Sequence, residues 1–246
     1  MKTVILVNDD GPFSKGVLAL KNALTNGGCR VFVFVPHQEM SACSHSLTLT
    51  KPLHVKEIEE NFFLVDGTPA DCTYLALFHF LKGEKIDFVL SGVNRGFNMG
   101  EDIWYSGTVA GAMEGFFHGV NSIAVSAYDF ENIDKIATHF LSLLEKISLF
   151  KECVPFLLNI NYPSGEIKGE KITSLSSRIY PGNVEVCVDP RGVKSYWIGG
   201  VPAVWDGEEN SDITAVKNGY VSITPLKGDV SDKNLLKKLK DFFDFK

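Results

Sequence analysis

Two adjacent carboxylates follow an apolar run near the start of the sequence. The run covers residues 3–7 and leads directly into Asn8-Asp9-Asp10-Gly11. A buried strand delivers the residues that follow it to the carboxyl edge of an α/β sheet, where ligands bind. Two neighbouring carboxylates repel each other at such an edge unless a cation lies between them. Asp9 and Asp10 are therefore candidate metal ligands, although Asp and Gly also favour simple polar turns.

A second polar motif follows another apolar run, at residues 86–90. It reads Ser91-Gly92-Val93-Asn94-Arg95-Gly96, and the sequence predicts that it lies at the same sheet edge as the two carboxylates. The amide oxygen of Asn94 is a hard, neutral ligand that suits Mg²⁺ or Mn²⁺. The alternative is a turn residue between glycines, because Asn tolerates left-handed backbone angles.

A candidate anion site lies where Ser106-Gly107-Thr108 precedes a small-residue helix start. Free N–H groups at a helix N-terminus, two hydroxyls and a glycine suit a phosphate group. The alternative is ordinary capping of the helix by Ser106 or Thr108. Gly107 and Gly111 lower helix stability, which suggests that some group comes close to the backbone there.

Residues 41–46 form a polar loop after the apolar run at residues 30–35. Ser41 offers a hydroxyl ligand, and Ser44 and His45 are candidates for positioning phosphate or for protonating the leaving group. The alternative for His45 is a solvated loop histidine with no catalytic role. Cys43 lies in the same loop, but the sequence shows no partner that would activate its thiol.

The elements that would position these residues alternate regularly along the chain. Strand-like runs at 3–8, 30–35, 86–90, 122–126 and 156–160 alternate with helical patterns at 14–26, 69–82, 106–118 and 132–149. This alternation predicts an α/β fold with a mostly parallel, doubly wound sheet. Thr68, Pro69 and Asp71 predict a capping box at the start of helix 69–82.

Other segments depart from the alternation. Residues 53–58 and 62–65 predict a hairpin, and residues 164–218 combine Gly, Pro, charge and short β-like runs. We interpret the whole chain, 1–246, as one domain with a core at about 1–163 that carries the site. Residues 164–218 would form a projecting β arm used in oligomerisation, and 219–246 a final strand and helix.

The composition bounds the functional class. The formal net charge is −6, which gives no sign of duplex nucleic-acid binding or of a membrane-surface patch. The apolar run at the start is shorter than a signal peptide, and no run reaches membrane-spanning length. Five scattered cysteines without a CxxC motif favour a reducing compartment, so we expect a cytoplasmic protein.

Several other phosphate-handling classes fit the sequence poorly. Residues 11–16 lack the Lys-Ser/Thr of a phosphate loop, and no GxGxxG follows a predicted strand. A signalling receiver domain would need a phospho-accepting Asp after a later strand, and a haloacid-dehalogenase phosphatase would need Asp-x-Asp. A non-catalytic nucleotide-binding protein on the same scaffold is a third alternative, against which the complete set of candidate metal ligands argues.

The ordered set of motifs resembles the SurE family of survival-protein nucleotidases. The motifs that carry the resemblance are Val7 to Gly11, Ser41 to Ser46 with Leu47-Thr48-Leu49-Thr50, Asp66 to Cys72, Ser91 to Gly96, and Tyr105 to Val109. The match covers about residues 3–127, and Asn161-Tyr162-Pro163 and Gly219 to Pro225 extend it more loosely.

The resemblance implies both a fold and an activity. The fold would be a Rossmann-like three-layer sandwich with an extended C-terminal β-hairpin arm, exchanged between subunits of a homodimer that sometimes pairs into a homotetramer. The activity would be metal-dependent hydrolysis of nucleoside 5′- and 3′-monophosphates, in some members also of short polyphosphate. One divalent cation per subunit, Mg²⁺ or Mn²⁺, would be held by Asp9, Asp10, Ser41 and Asn94.

The resemblance also implies the phosphate site. It falls on Ser106, Gly107 and Thr108, with Asn98 nearby. Asp9, Asp10, Asn94 and Ser106 would then be the catalytic residues. The chain departs from the family pattern at Pro12-Phe13, Cys43, Phe97 and Trp104, positions that affect loop shape and substrate preference rather than the metal ligands.

Overall fold

The computed structural model describes residues 1–150, 154–179, 182–199 and 204–244. In chain order, the strands are β1 Thr3–Val7, β2 Arg30–Pro36, β3 Val55–Glu59, β4 Phe62–Val65, β5 Phe88–Arg95, β6 Ser122–Ala127, β7 Leu157–Tyr162, β8 Glu170–Ile172, β9 Ser177–Ile179, β10 Val184–Val188, β11 Lys194–Ile198, β12 Val204–Asp206 and β13 Val221–Leu226. The α-helices are α1 Lys15–Asn26, α2 Pro69–Leu75, α3 Gly107–Phe117, α4 Ile133–Leu149, α5 Asp212–Lys217 and α6 Lys233–Asp244.

A nine-stranded sheet forms the centre of the molecule, in the order β3-β4-β2-β1-β5-β6-β7-β13-β8. Six of its pairings are parallel, whereas β3–β4 and β7–β13 are antiparallel. The predicted mostly parallel α/β sheet is confirmed. Because the chain passes from β1 to β2 on one side and later to β5 on the other, β1 and β5 meet at a topological switch point, where ligands bind in such sheets.

Helices cover both faces of this sheet. Alternate residues of β1 point to opposite faces, so Val4 and Leu6 pack in the core cluster that contains α1 and α4 residues. Ile5 and Val7 pack on the other side, with residues of α2. Helix α3 packs on that same side through Val109 and Ala112. The arrangement is the expected three-layer sandwich.

Side-chain caps fix where the helices nearest the site begin. The Ser14 hydroxyl caps α1 by accepting a hydrogen bond from the Gly16 N–H group, and Thr68 and Asp71 form the predicted capping box of α2. The predicted helix 69–82 is helical as far as Phe80, but it is not α-helical throughout. After Leu75 the chain continues as a π-helical turn, Ala76–Phe80, which places the aromatic rings of Phe34, Phe63 and Phe80 in contact.

Residues 164–218 are divided between the core and an exposed hairpin. Strand β8 extends the central sheet beside β13, and α5, which the sequence did not predict, buries Ile213 and Val216 against Met99. Strands β10 and β11 form an antiparallel hairpin in which every residue is exposed. Residues 180–181 and 200–203 of the predicted arm lie outside the described residues.

Two expectations concern the protein's surroundings. Within the described ranges, no helix is both long and apolar enough to cross a membrane. Cys29, Cys43, Cys72 and Cys187 are free thiols, and Cys153 lies outside the described residues.

Candidate active site

A cleft of about 1520 Å³ opens where β1, β2 and β5 end. It is lined by six of the residues singled out from the sequence, namely Asp9, Asp10, Ser41, Asn94, Asn98 and Ser106. Three separate chain segments supply the four candidate metal ligands. Ser44, His45, Gly107 and Thr108 are not among its lining residues, although they lie on the loop and helix that border it.

Asp9 is buried against the start of α3. Its Oδ1 accepts a hydrogen bond from the Thr108 hydroxyl, and its Oδ2 accepts one from the Thr108 N–H group at 3.2 Å. Burial raises the pKa of the Asp9 carboxyl to about 6; the Thr108 hydrogen bond acts in the opposite direction, and the negative charge of Asp10 adds to the increase. Thr108 was predicted to bind phosphate, but its N–H group and its hydroxyl both donate to the Asp9 carboxylate.

Asp10 lies closer to solvent than Asp9 and has different partners. Its Oδ2 accepts a hydrogen bond from the Ser14 hydroxyl at 3.2 Å, which ties it to the cap of α1. Burial raises the pKa of Asp10, whereas hydrogen bonds from Ser14 and from the backbone of Arg95 lower it. Gly11 takes a positive φ of 87°, and the chain turns there so that both carboxylates line the cleft.

The two neutral candidate ligands are also held by local contacts. The predicted strand 86–90 extends to Arg95, and its pairing with β6 is irregular between Ser91 and Asn94. The Asn94 Nδ2 group donates to the Gly96 carbonyl at 3.0 Å, which fixes the side chain and leaves its Oδ1 as the ligand atom. The Ser41 hydroxyl donates to Glu39 Oε1 at 2.7 Å and keeps its oxygen lone pairs.

The start of α3 is closely packed rather than open. Ser106 caps the helix by accepting a hydrogen bond from the Val109 N–H group at 3.0 Å. A Cβ atom on Gly107 would lie 2.8 Å from Cys43 Sγ and 3.0 Å from Asp9 Cβ. The groups that approach the helix backbone are thus a carboxylate and a thiol. Gly111 instead allows close packing on Val7 of β1.

Asn98 is fixed by a buried network of amides. Its N–H group and its carbonyl both bind the side chain of Asn161, its Nδ2 donates to Ser126 Oγ at 2.8 Å, and its carbonyl accepts a further bond from Asn159. The backbone of this cleft residue therefore has a defined position.

His45 is not among the cleft-lining residues and contacts α3 instead. Its Nε2 lies 2.6 Å from Glu114 Oε2, and its ring stacks on Phe117. His118 contacts the other Glu114 oxygen at 2.9 Å. Burial tends to raise the pKa of Glu114, but the hydrogen bonds to His45 and His118 outweigh it and leave that pKa below its ordinary value. This arrangement ties the loop to α3.

Many cleft residues were not singled out as site residues, among them Glu39, Arg95 and Phe13. Glu39 adds a carboxylate, Arg95 adds a cation whose charge lowers the pKa of Asp10, and Phe13 adds an exposed ring. Glu39 and Arg95 stand two and one positions from predicted ligands, which was the available signal. Phe13 was noted only as a departure from the family pattern.

The aromatic residues Phe97, Trp104 and Tyr105, which flank the Asn94 and Ser106 motifs in the sequence, lie apart in the structure. Tyr105 lines the cleft, whereas Phe97 packs on Tyr128 with ring centroids 5.4 Å apart and Trp104 does not border the cleft.

Cys43 lies beside Gly107. Burial, and then the negative charge of Asp9, raise the pKa of the Cys43 thiol to about 11, so it is protonated and weakly nucleophilic at neutral pH.

The donor set fits a hard divalent cation. It comprises two carboxylates, one amide oxygen and one hydroxyl, all oxygen ligands of the kind that Mg²⁺ and Mn²⁺ prefer. In the described part of the chain, no group of three or more His, Cys, Asp or Glu residues is arranged to hold a metal.

Comparison with known proteins gives one consistent result. The family model described as Survival protein SurE matches residues 4–182. A 5′-nucleotidase SurE from Aquifex aeolicus is 45% identical over 98% of both chains, and one from a Nitratiruptor species is 44% identical over 98% of this chain and all of its own. The crystal structure of the SurE protein from Aquifex aeolicus superposes with a TM-score of 0.86 at 43% identity, covering 98% of this chain and 100% of the other. The chain therefore belongs to the SurE family.

Proposed function

We propose that this protein is a nucleotidase, a divalent-metal-dependent phosphomonoesterase that hydrolyses nucleoside 5′- and 3′-monophosphates to nucleoside and phosphate. One observation carries the proposal: Asp9, Asp10, Ser41 and Asn94, from three distant chain segments, line a single cleft beside the start of α3. The full-length relatives named 5′-nucleotidase support the 5′ activity. Action on 3′-nucleotides and on short polyphosphate rests on the family resemblance.

In this proposal the four oxygen ligands hold one Mg²⁺ or Mn²⁺ ion per subunit. Burial of the adjacent carboxylates of Asp9 and Asp10 raises the pKa of both, which marks a site that a cation would stabilise. When bound, the cation would offset the negative charge of the phosphate and of the transition state.

The phosphate would lie between this ion and the start of α3. Ser106 lines the cleft at the helix N-terminus, whose dipole favours an anion, and Asn98 lines the cleft from a fixed backbone. Arg95 adds a positive charge at the same edge. Thr108 serves the reaction indirectly, by orienting Asp9. His45 has no part in the proposed hydrolysis, because its Nε2 is occupied by Glu114.

The deciding experiment measures phosphate release from AMP, GMP, CMP, a 3′-nucleotide and tripolyphosphate, with Mn²⁺, with Mg²⁺ and with EDTA. We expect metal-dependent release from the nucleotides. Asp10→Asn should lower the rate at least about 100-fold with the fold retained, whereas Asp129→Asn, at another position in the cleft wall, should change it little. Absence of metal-dependent release from every substrate would defeat the proposal.

Assembly and location form a separate part of the proposal. A homodimer, or a homotetramer built from two of them, would cover the exposed apolar residues of the β10–β11 hairpin, such as Val186, Tyr196 and Trp197. Helix α6 also exposes Leu235, Leu236 and Phe242. Light scattering of the purified protein at several concentrations tests the assembly, and fractionation of the source cells tests the expected cytoplasmic location.

A further inference from the structure

Phe13 is an exposed aromatic side chain in the wall of the active-site cleft. It is 84% exposed and lines the same cleft as the candidate metal ligands. Single exposed apolar side chains are common on proteins and need no explanation by themselves. Phe13 differs because of its place: it stands three residues after Asp10, so the two Cα atoms are at most about 11 Å apart.

The turn that carries Phe13 is held by three hydrogen bonds. Asn8 Nδ2 donates to the Gly11 carbonyl at 2.7 Å, the Ser14 N–H group donates to the same carbonyl at 3.4 Å, and the Ser14 hydroxyl binds Asp10. The ring is therefore displayed from a turn that is fixed to the carboxylates. Because the turn is already fixed, a group that stacks on this ring would cost the protein little conformational entropy, which favours binding.

The cleft is also much larger than a phosphate group. Its volume of about 1520 Å³ falls above the usual range for small-molecule sites, so it has room for a sugar and a base beside the phosphate. Tyr105 and Phe130 give it further aromatic lining. The metal ligands supply polar oxygens to the same cleft, and a nucleotide carries both a charged phosphate and a flat base.

We propose that Phe13 stacks on the base of the nucleotide substrate and thereby favours nucleotides over phosphomonoesters that lack a base. This inference rests on the proposed nucleotidase function and adds the residue that selects the substrate class. Stacking on an aromatic ring tolerates every base, because each base has a flat π face. The four common nucleoside monophosphates should therefore depend on Phe13 to a similar degree.

The test compares AMP and CMP with ribose 5-phosphate, which keeps the sugar and phosphate but has no base. Phe13→Ala should raise KM for AMP and CMP about 5- to 100-fold, the range expected for loss of one stacked base. Its kcat should stay within about twofold, and KM for ribose 5-phosphate should not change. Phe13→Trp should restore a KM for AMP close to that of the unaltered protein. Phe150→Ala, at an exposed phenylalanine outside the cleft lining, is the matched control.

Two results would overturn the inference. An unchanged KM for AMP in Phe13→Ala would show that the ring does not contact the base. An equal rise in KM for AMP and for ribose 5-phosphate would show that the substitution disturbs the carboxylate turn instead. If the unaltered protein releases no phosphate, the proposed function fails separately, and calorimetric binding of AMP and of ribose 5-phosphate to both proteins still tests Phe13. In that measurement, equal AMP affinity in the two proteins rejects stacking, and a selective loss of AMP affinity supports it.

Discussion

The side-chain amide of Asn161 binds both main-chain polar groups of Asn98. Its Oδ1 accepts from the Asn98 N–H group at 2.9 Å, and its Nδ2 donates to the Asn98 carbonyl at 3.0 Å. Asn161 is completely buried near the end of β7, an interior strand of the sheet. A rigid strand therefore sets the backbone position of a residue in the cleft wall.

Replacing Asn161 should affect both stability and substrate binding. Asn161→Ala leaves the buried N–H group of Asn98 without its acceptor, so we expect the free energy of unfolding to fall by about 1–3 kcal/mol. We also expect KM for AMP to rise, because Asn98 loses its fixed position. Urea unfolding and phosphate-release kinetics measure the two effects. Asn183→Ala, at a partly exposed residue just before β10, provides a comparison that should leave both quantities unchanged.

The Thr108 hydroxyl should matter for metal binding rather than for phosphate binding. Thr108→Val keeps the shape of the side chain but removes the hydrogen bond to Asp9, and a bond to a charged group contributes about 1.5–3 kcal/mol. We therefore expect the Mn²⁺ concentration for half-maximal activity to rise about 10- to 100-fold. Thr108→Ser, which keeps the hydroxyl, should remain near the original value. An unchanged metal requirement in Thr108→Val, with a raised KM for AMP, would assign Thr108 to phosphate instead.

Gly107 should not tolerate a side chain. The Cβ of Gly107→Ala would lie 2.8 Å from Cys43 Sγ, closer than real Cβ contacts, and 3.0 Å from Asp9 Cβ, which is tighter than most of them. We expect at least about a 10-fold loss of kcat/KM, because Asp9 or α3 must shift. Adding Cys43→Ala removes one of the two clashes and should recover part of the loss. Steady-state kinetics of the single and double variants measure this coupling, and the absence of any recovery would show that the contact with Asp9 dominates.

Glu114 should contribute to stability in a pH-dependent way. Its folded-state pKa lies below the ordinary value, so its ionised form stabilises the fold above the ordinary glutamate pKa. That contribution is lost as the pH falls through the folded-state pKa. The difference in unfolding free energy between the unaltered protein and Glu114→Gln should therefore be largest above about pH 5 and shrink in more acidic buffer.

Urea titrations across this range test the prediction. The exposed Glu60→Gln is the matched control and should show little difference at any pH. A Glu114→Gln deficit that grew as the pH fell would contradict the assigned direction of the pKa shift.

Local signals predicted the elements that carry the site. The apolar run of β1, the cap at Thr68 and the break after Asn26 each act within a few residues, so the sequence could be interpreted there without knowledge of the fold. The positions of the candidate ligands were also predictable, because each lies at or beyond the carboxyl end of a strand of the mostly parallel sheet. Their common cleft is an observation of the structure.

What the sequence did not predict depends on contacts between distant residues. Thr108 binds Asp9 across 99 positions and His45 binds Glu114 across 69, so neither pairing has a local pattern. Helix α5 was missed because six residues are too few to show a clear helical pattern of apolar residues. The helix is stabilised by its burial against Met99. The π-helical turn after Leu75 likewise reflects how its aromatic side chains pack on β2 and β4.

The meeting of β1 and β5 at the switch point has a consequence for folding. Asp10 and Asn94 are 84 positions apart in the chain, yet their strands are direct neighbours. A bound ion would join these strands and the loop after β2, and it could bind only when all three segments have assembled. The ion would then stabilise the two central strands against local opening. Amide hydrogens of β1 and β5 should therefore exchange with solvent more slowly in its presence.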